Sequence, residues 1–184
     1  KPLADEYDEE FGKAVESIGA GLGNDYQRQV FGQAIAKRRA AFRAGAMKHE
    51  ADEFRTYTLS VREGTIATRM QQIGLNYANP EVIDEAITSI RAATYDAAKL
   101  QGKSAEWADA QARKMASNAH KTAIAAALQN NDVAYADRYL NRYGKDMEAD
   151  DLLQTTGLIT KEMDLRVGTS AATEAMGRWA PKIV

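Results

Sequence analysis

Residues 119–158, AHKTAIAAALQNNDVAYADRYLNRYGKDMEADDLLQTTGL, decide how the rest of the chain is read. Ala123, Ala126, Ala127 and Leu128 close one helix. Asn130, Asn131 and Asp132 follow, and consecutive Asx side chains favour a turn and then a helix cap. Ala136, Tyr139, Leu140 and Tyr143 recur at helical spacing. Gly144 is expected to end that helix as a left-handed residue just past its C-terminus. A third helix is expected after Met147 and Glu148, with Asp150 and Asp151 placing negative charge in its first turn, where the helix dipole favours it. The pattern is helix, tight turn, helix, turn, helix. It contains no nucleophile with a base, no metal cage and no phosphate cradle. It is a packing unit.

The remainder of the sequence repeats that character. Only 3 prolines occur among 184 residues, Pro2, Pro80 and Pro181, so the interior is nearly free of helix breakers. Long runs of alternating β-branched and polar residues are missing, which leaves strands without support. The formal net charge is −2, with both signs interspersed, so no nucleic-acid footprint is predicted. There is no cysteine, which excludes disulfides and thiolate metal sites. No apolar run approaches the ~18 residues of a membrane span, and no signal peptide is visible. The chain starts at Lys1, and we expect it to be a piece of something longer.

Residues 3–18 form an expected first amphipathic helix, with Tyr7, Phe11, Val15 and Ile18 along one face and Pro2 in its first turn. Gly19, Gly21 and Gly23 stop it. Asn24 or Asp25 then caps a proline-free run to Tyr77. Tyr26, Val30, Ala34, Ala41 and Gly45 give one face of its first half; Ile66, Met70, Ile73 and Tyr77 give a face of its second. The run is either one very long helix or two helices meeting near Gly45 or Gly64. Globular helices run ~8–20 residues, so such a helix needs partners along its length. Gly32, Gly45, Gly64 and Gly74 are tolerable there if they let neighbouring helices approach closely. Asn79-Pro80 restarts a helix through an N-cap followed by proline. Ser104 caps another, whose buried side is expected to carry Trp107, Met115, Ala119, Ile124 and Leu128. The last helix is expected from Ala149 to Val167, with Gly168 ahead of a terminal helix or linker that ends in Trp179-Ala180-Pro181. The expected fold is all-α, an elongated irregular helical bundle. Its expected divisions are 1–78, 79–168 and 169–184.

Five groups of residues invite a chemical reading. Gly19-Ala20-Gly21-Leu22-Gly23 lacks the preceding strand that a dinucleotide fingerprint requires. His49-Glu50-Ala51-Asp52-Glu53 has glutamate where a zinc protease motif needs its second histidine, and His120 is distant in sequence. Glu16-Ser17 matches the catalytic glutamate-serine pair of soluble lytic transglycosylases, but Gly21-Leu22-Gly23 does not continue that motif. Lys37, Arg38, Arg39 and Arg43 form a basic patch that could meet phosphate or anionic lipid; Glu50, Asp52 and Glu53 make an ion-paired, solvated face the better reading. Tyr135, Tyr139 and Tyr143 repeat every four residues and are expected to pack a helix seam rather than stack bases. No catalytic, cofactor-binding or metal-binding residue is assigned, and no enzymatic activity is expected of this chain.

The stretch LQNNDVAYADRYL, Leu128–Leu140, together with Met147-Glu148-Ala149-Asp150-Asp151 and the small-residue segment Gly168–Ala172, resembles a helical pattern of long virion proteins of tailed phages. The resemblance covers roughly residues 40–180. It implies a helical segment of an internal (ejection) or tail-associated virion protein that often neighbours a soluble lytic transglycosylase domain. No catalytic residue is carried over, because that domain is not in this chain. The implied partners are other virion proteins or further copies of this chain, and the implied location is the phage particle, with delivery into the host envelope. The same hairpin is similar to a tetratricopeptide-type helix pair, which implies instead a protein–protein interaction module. Such an array repeats near ~34 residues, and one convincing unit is present.

Overall fold

The computed structural model describes residues 3–179. The expected contribution of Pro2 to the first helix turn, and the Ala180-Pro181 end, lie outside the described residues. Six α-helices follow one another among the described residues: α1 (Leu3–Ala20), α2 (Asp25–Leu75), α3 (Pro80–Leu100), α4 (Ala105–Gln129), α5 (Val133–Tyr143) and α6 (Ala149–Trp179). A 3-10 turn, Gly144–Asp146, lies between the last two. No strand occurs among the described residues. The all-α reading therefore holds, and the proline-free run is one helix of 51 residues rather than two.

Local chemistry places the helix ends. Asn24 Oδ1 accepts the amide of Gln27 at 2.9 Å, and Gln27 Oε1 accepts that of Gly23 at 2.9 Å, a reciprocal cap at the start of α2. Asn79 caps α3 by accepting from Glu81 and Val82, with Pro80 in the first turn. Ser104 Oγ accepts the Trp107 amide, and Asp132 Oδ1 that of Tyr135. The C-termini of α3 and α4 close alike. Gly102 takes φ +67° and Asn131 takes φ 60°. The next amide in each case returns to the helix, Lys103 to Ala98 O at 2.9 Å and Asp132 to Ala127 O at 2.8 Å.

Gly144 differs from its expected role. Its φ is −58°, right-handed, and the chain tightens into the 3-10 turn instead of reversing. Space is tight there: a Cβ would stand 3.0 Å from Leu152 Cδ1, and that side chain would have to shift by a few tenths of an ångström. The last helix also departs from expectation. It does not stop at Val167 but continues through Gly157 and Gly168 to Trp179, since a glycine costs a helix only ~1 kcal/mol and no proline intervenes.

The chain forms two compact units, Lys1–Ser60 and Val61–Val184, which meet inside α2. In the first unit α1 lies antiparallel to the early part of α2. Phe42 meets Tyr7 edge-on at 6.0 Å and stacks on Phe11 at 6.1 Å. Asp8 receives Arg39 through two hydrogen bonds, 2.7 and 2.9 Å, and Glu50 accepts the Ala4 amide. Ile18, expected on the apolar face, is exposed.

The second unit holds the core. Ile73, Ile83, Ile90 and Ile124 are fully buried. Ala112, Ala116, Ala119, Ala123 and Ala127 are buried along one stripe of α4, and their small side chains let α3 and α5 pack close. Trp107 is not on that stripe. It is exposed at the start of α4, with the Lys103 ammonium 5.5 Å from its ring centre. Of the glycines expected to admit a close neighbour, Gly74 has one, Thr122 Cγ2 at 3.8 Å from a built Cβ; Gly32, Gly45 and Gly64 face nothing within 4 Å.

Candidate functional site

The polar groups that the second unit gathers are on α4, α5 and the start of α6. His120 lies on the buried side of α4, one turn after Ala116 and one turn before Ile124. Tyr135, Tyr139 and Tyr143 stand on successive turns of α5, the face that packs on α4. Tyr139 Oη is 3.0 Å from His120 Nδ1. The imidazole stacks on Tyr143 at 5.4 Å and 23°, Tyr139 and Tyr143 lie 4.6 Å apart, and Tyr77 meets Tyr135 edge-on at 5.7 Å. The helical spacing predicted a tyrosine seam. It did not predict the histidine in it, because His120 and Tyr139 are brought together only when α4 and α5 fold against each other.

Burial sets the protonation of this cluster. His120 and Tyr139 are each 3% exposed. Loss of solvation holds the His120 pKa below its ordinary value and pushes the Tyr139 phenol above its own. The phenol is therefore protonated and the imidazole neutral at neutral pH, and the two share one hydrogen bond; where the phenol donates it, the ring proton sits on Nε2. A neutral histidine beside a protonated tyrosine is a competent proton relay only where a substrate reaches it, and both are sealed by packing here.

A second network ties α4 to α6. Ser117 Oγ donates to Asp151 Oδ2 at 2.6 Å and accepts the Glu148 amide at 2.9 Å; Lys121 Nζ donates to Asp151 Oδ1 at 2.7 Å. The hydrogen bonds from Lys121 and then Ser117 hold the Asp151 carboxyl below the usual carboxylate range. Ser117 is fully buried and both its hydroxyl functions are engaged. Its chemistry is that of a cap for the otherwise unpaired amide ahead of α6, supplied by another helix. Ser117 carried no local signal in the sequence, since its partners are 31 and 34 positions away.

The residues singled out earlier are scattered. Glu16 and Ser17 are exposed on α1. His49 is exposed on α2, and its neighbour Glu50 is used to hold the Ala4 amide. Among the described residues no group of three His, Cys, Asp or Glu stands close enough to hold a metal ion. Arg39 and Arg43 are ion-paired, as expected of a solvated face. Their partners are Asp8 and Asp5 of α1, however, and not Glu50, Asp52 and Glu53, because the acidic start of α1 lies directly alongside. A groove of about 300 Å³ beside α4 is lined by Lys121, Ile124, Leu128, Thr155 and Leu158 and contains neither His120 nor Tyr139. It is apolar and has no convergent polar constellation of the kind that orients a small ligand.

Comparison with protein families, with curated proteins and with solved structures finds no match to this chain. No helix among the described residues is long and apolar enough to cross a membrane. What the second unit offers is two polar networks that lock helices together, and what both units offer to the outside is helix surface.

Proposed function

We propose that this chain is a non-catalytic structural and assembly segment of a tailed-phage virion protein of the ejection or tail-associated class, part of a longer polypeptide that also carries a peptidoglycan-degrading transglycosylase domain. The observation that carries the structural role is the combination of closed polar networks with long helix faces left apolar and open. Tyr26, Phe54 and Tyr57 on α2 and Leu158, Leu165, Met176 and Trp179 on α6 are all exposed. Large apolar side chains left in water along helices of 51 and 31 residues mark surfaces for other protein. The phage context rests on the resemblance at Leu128–Leu140 and its flanks. Other virion proteins and further copies of this chain are the partners this reading calls for, and the particle is its location.

Quantitative mass spectrometry of density-purified particles tests this. The reading expects peptides of this chain in the particle at a fixed ratio to the major capsid protein. Peptides confined to the soluble fraction of the lysate, with none in particles, overturn it.

A further inference from the structure

We propose that α1 is a displaceable acidic strap over residues 26–48 of α2, and that this stretch, once uncovered, lies as a basic amphipathic helix on an anionic lipid surface.

Charge is divided between the two helices. From Tyr26 to Lys48, α2 carries six basic residues, Arg28, Lys37, Arg38, Arg39, Arg43 and Lys48, and no acidic one. From Leu3 to Ala20, α1 carries six acidic residues, Asp5, Glu6, Asp8, Glu9, Glu10 and Glu16, against the single base Lys13. Each stretch alone is strongly charged, and laid together they nearly cancel. Arg39 meets Asp8 at 2.7 Å, and Arg43 meets Asp5 at 3.6 Å and Asp8 at 3.9 Å. Ion pairs within one helix stay with it, whereas pairs made to a second helix are lost when that helix leaves.

The covered face is also apolar. Phe42 lies against Tyr7 and Phe11, and Phe31 lies beside Gly19. Ile35 and Ala46, both partly buried, fall on the same stripe by helical spacing, with Arg39 and Arg43 along its edge. A helix with aromatic and aliphatic side chains on one face, Lys and Arg around them and no acid binds where acyl chains meet anionic headgroups. Nucleic acid would use the cations and leave Phe31, Ile35 and Phe42 in water. The helix now seated on this face offers what such a surface offers, carboxylates to the arginines and apolar groups to Phe42.

The hold of α1 is light. Of the described residues up to Ser60, only Ala4 is buried. Phe42 is 44% and Tyr7 48% exposed with α1 in place. Exposed ion pairs contribute little each and weaken with salt. The two helices join through residues 21–24, where Gly21 and Gly23 let the turn reopen. An anionic surface competes with Asp5 and Asp8 for the same guanidinium groups, and uncovering them disturbs none of the buried core of the second unit.

Co-sedimentation of the 184-residue chain with sucrose-loaded vesicles tests this, equimolar phosphatidylcholine and phosphatidylglycerol against phosphatidylcholine alone. The strap is released by Asp5→Asn with Asp8→Asn. The charge-matched control is Glu6→Gln with Glu16→Gln, both exposed on α1 and outside its contacts with Arg39 and Arg43. The parent binds the anionic vesicles and not the neutral ones. Apparent affinity scales with the uncovered fraction, so losing the Arg39 and Arg43 pairs raises it roughly tenfold, while the control stays near the parent. Adding Ile35→Ser to the released variant takes an aliphatic side chain out of the stripe and lowers vesicle binding roughly tenfold. Amide hydrogen exchange reads the displacement: on vesicles residues 3–20 exchange faster than in solution and residues 26–48 do not, and unchanged exchange in α3 and α4 shows the second unit intact. No binding to anionic vesicles by parent or released variant, equal gains in the released variant and its control, or α1 amides still protected on the vesicle overturns the proposal. Binding of duplex DNA in place of vesicles, indifferent to Ile35→Ser, assigns the uncovered stretch to nucleic acid and overturns the lipid surface.

Discussion

Replacing Tyr139 by phenylalanine removes one oxygen from the middle of the second unit and leaves the ring in place. The ring volume is kept, so no large cavity opens. What is lost is the hydrogen bond to His120 Nδ1, 3.0 Å long and between two residues each 3% exposed. A lost buried hydrogen bond costs ~0.5–1.5 kcal/mol net, and an acceptor left unpaired in a dry site costs ~1–3 kcal/mol. His120 cannot turn to water without breaking its stack on Tyr143. The expected destabilisation is about 2 kcal/mol, which in a chain of this size lowers Tm by ~4–8 °C. Tyr135→Phe is the matched control. The Tyr135 hydroxyl oxygen is buried without a hydrogen-bond partner among the described residues, so its removal relieves an unpaid desolvation. That variant is expected to melt with the parent or slightly above it. Thermal melts by circular dichroism, with amide hydrogen exchange across α4 to report on this unit, measure both. If Tyr139→Phe melts with the parent while Tyr135→Phe loses several degrees, the hydroxyl roles are reversed and the neutral-imidazole account of the cluster fails.

Other outcomes follow from the same geometry. His120 has a folded pKa below its unfolded value, so its contribution to stability is complete above about pH 6.5 and is lost as pH falls through the folded pKa, by at most ~1.4 kcal/mol per pH unit; His120→Phe should flatten the slope of Tm between pH 6.5 and 5, and an unchanged slope assigns it to other groups. Ser117→Ala should cost ~1–3 kcal/mol in a urea titration, because the Glu148 amide and Asp151 both lose a partner; parent-like unfolding would mean that α6 does not depend on this cap. Leu140→Ala should cost ~2–5 kcal/mol, since Leu140 packs against the buried core, and the same titration should find Glu16→Ala, exposed on α1, close to parent. Turbidity of purified cell walls should not fall on adding this chain, and any fall that vanishes in Glu16→Gln contradicts the non-catalytic role.

The α4–α5 hairpin and the helix starts were legible because they are local. Asn24, Asn79, Ser104 and Asp132 cap amides two or three residues ahead, a reach that a short polar side chain spans whatever the rest of the fold does. The absence of interior proline likewise settled that 25–75 is helical. Burial was not local. Trp107 looked like core by spacing and is exposed, while Ser117, which carried no local signal, is fully buried, because which stripe of α4 is covered depends on where α3, α5 and α6 lie. The His120–Tyr139 contact joins residues 19 apart on two helices, and the Ser117–Asp151 contact joins residues 34 apart. The sequence by itself determined the six helices' type and most of their boundaries, since backbone hydrogen bonds and caps act within a turn or two. Only the tertiary structure decided which polar groups are dry and paired and which face of α2 α1 leaves open, since desolvation is a property of what packs on a side chain and not of the side chain's neighbours in sequence.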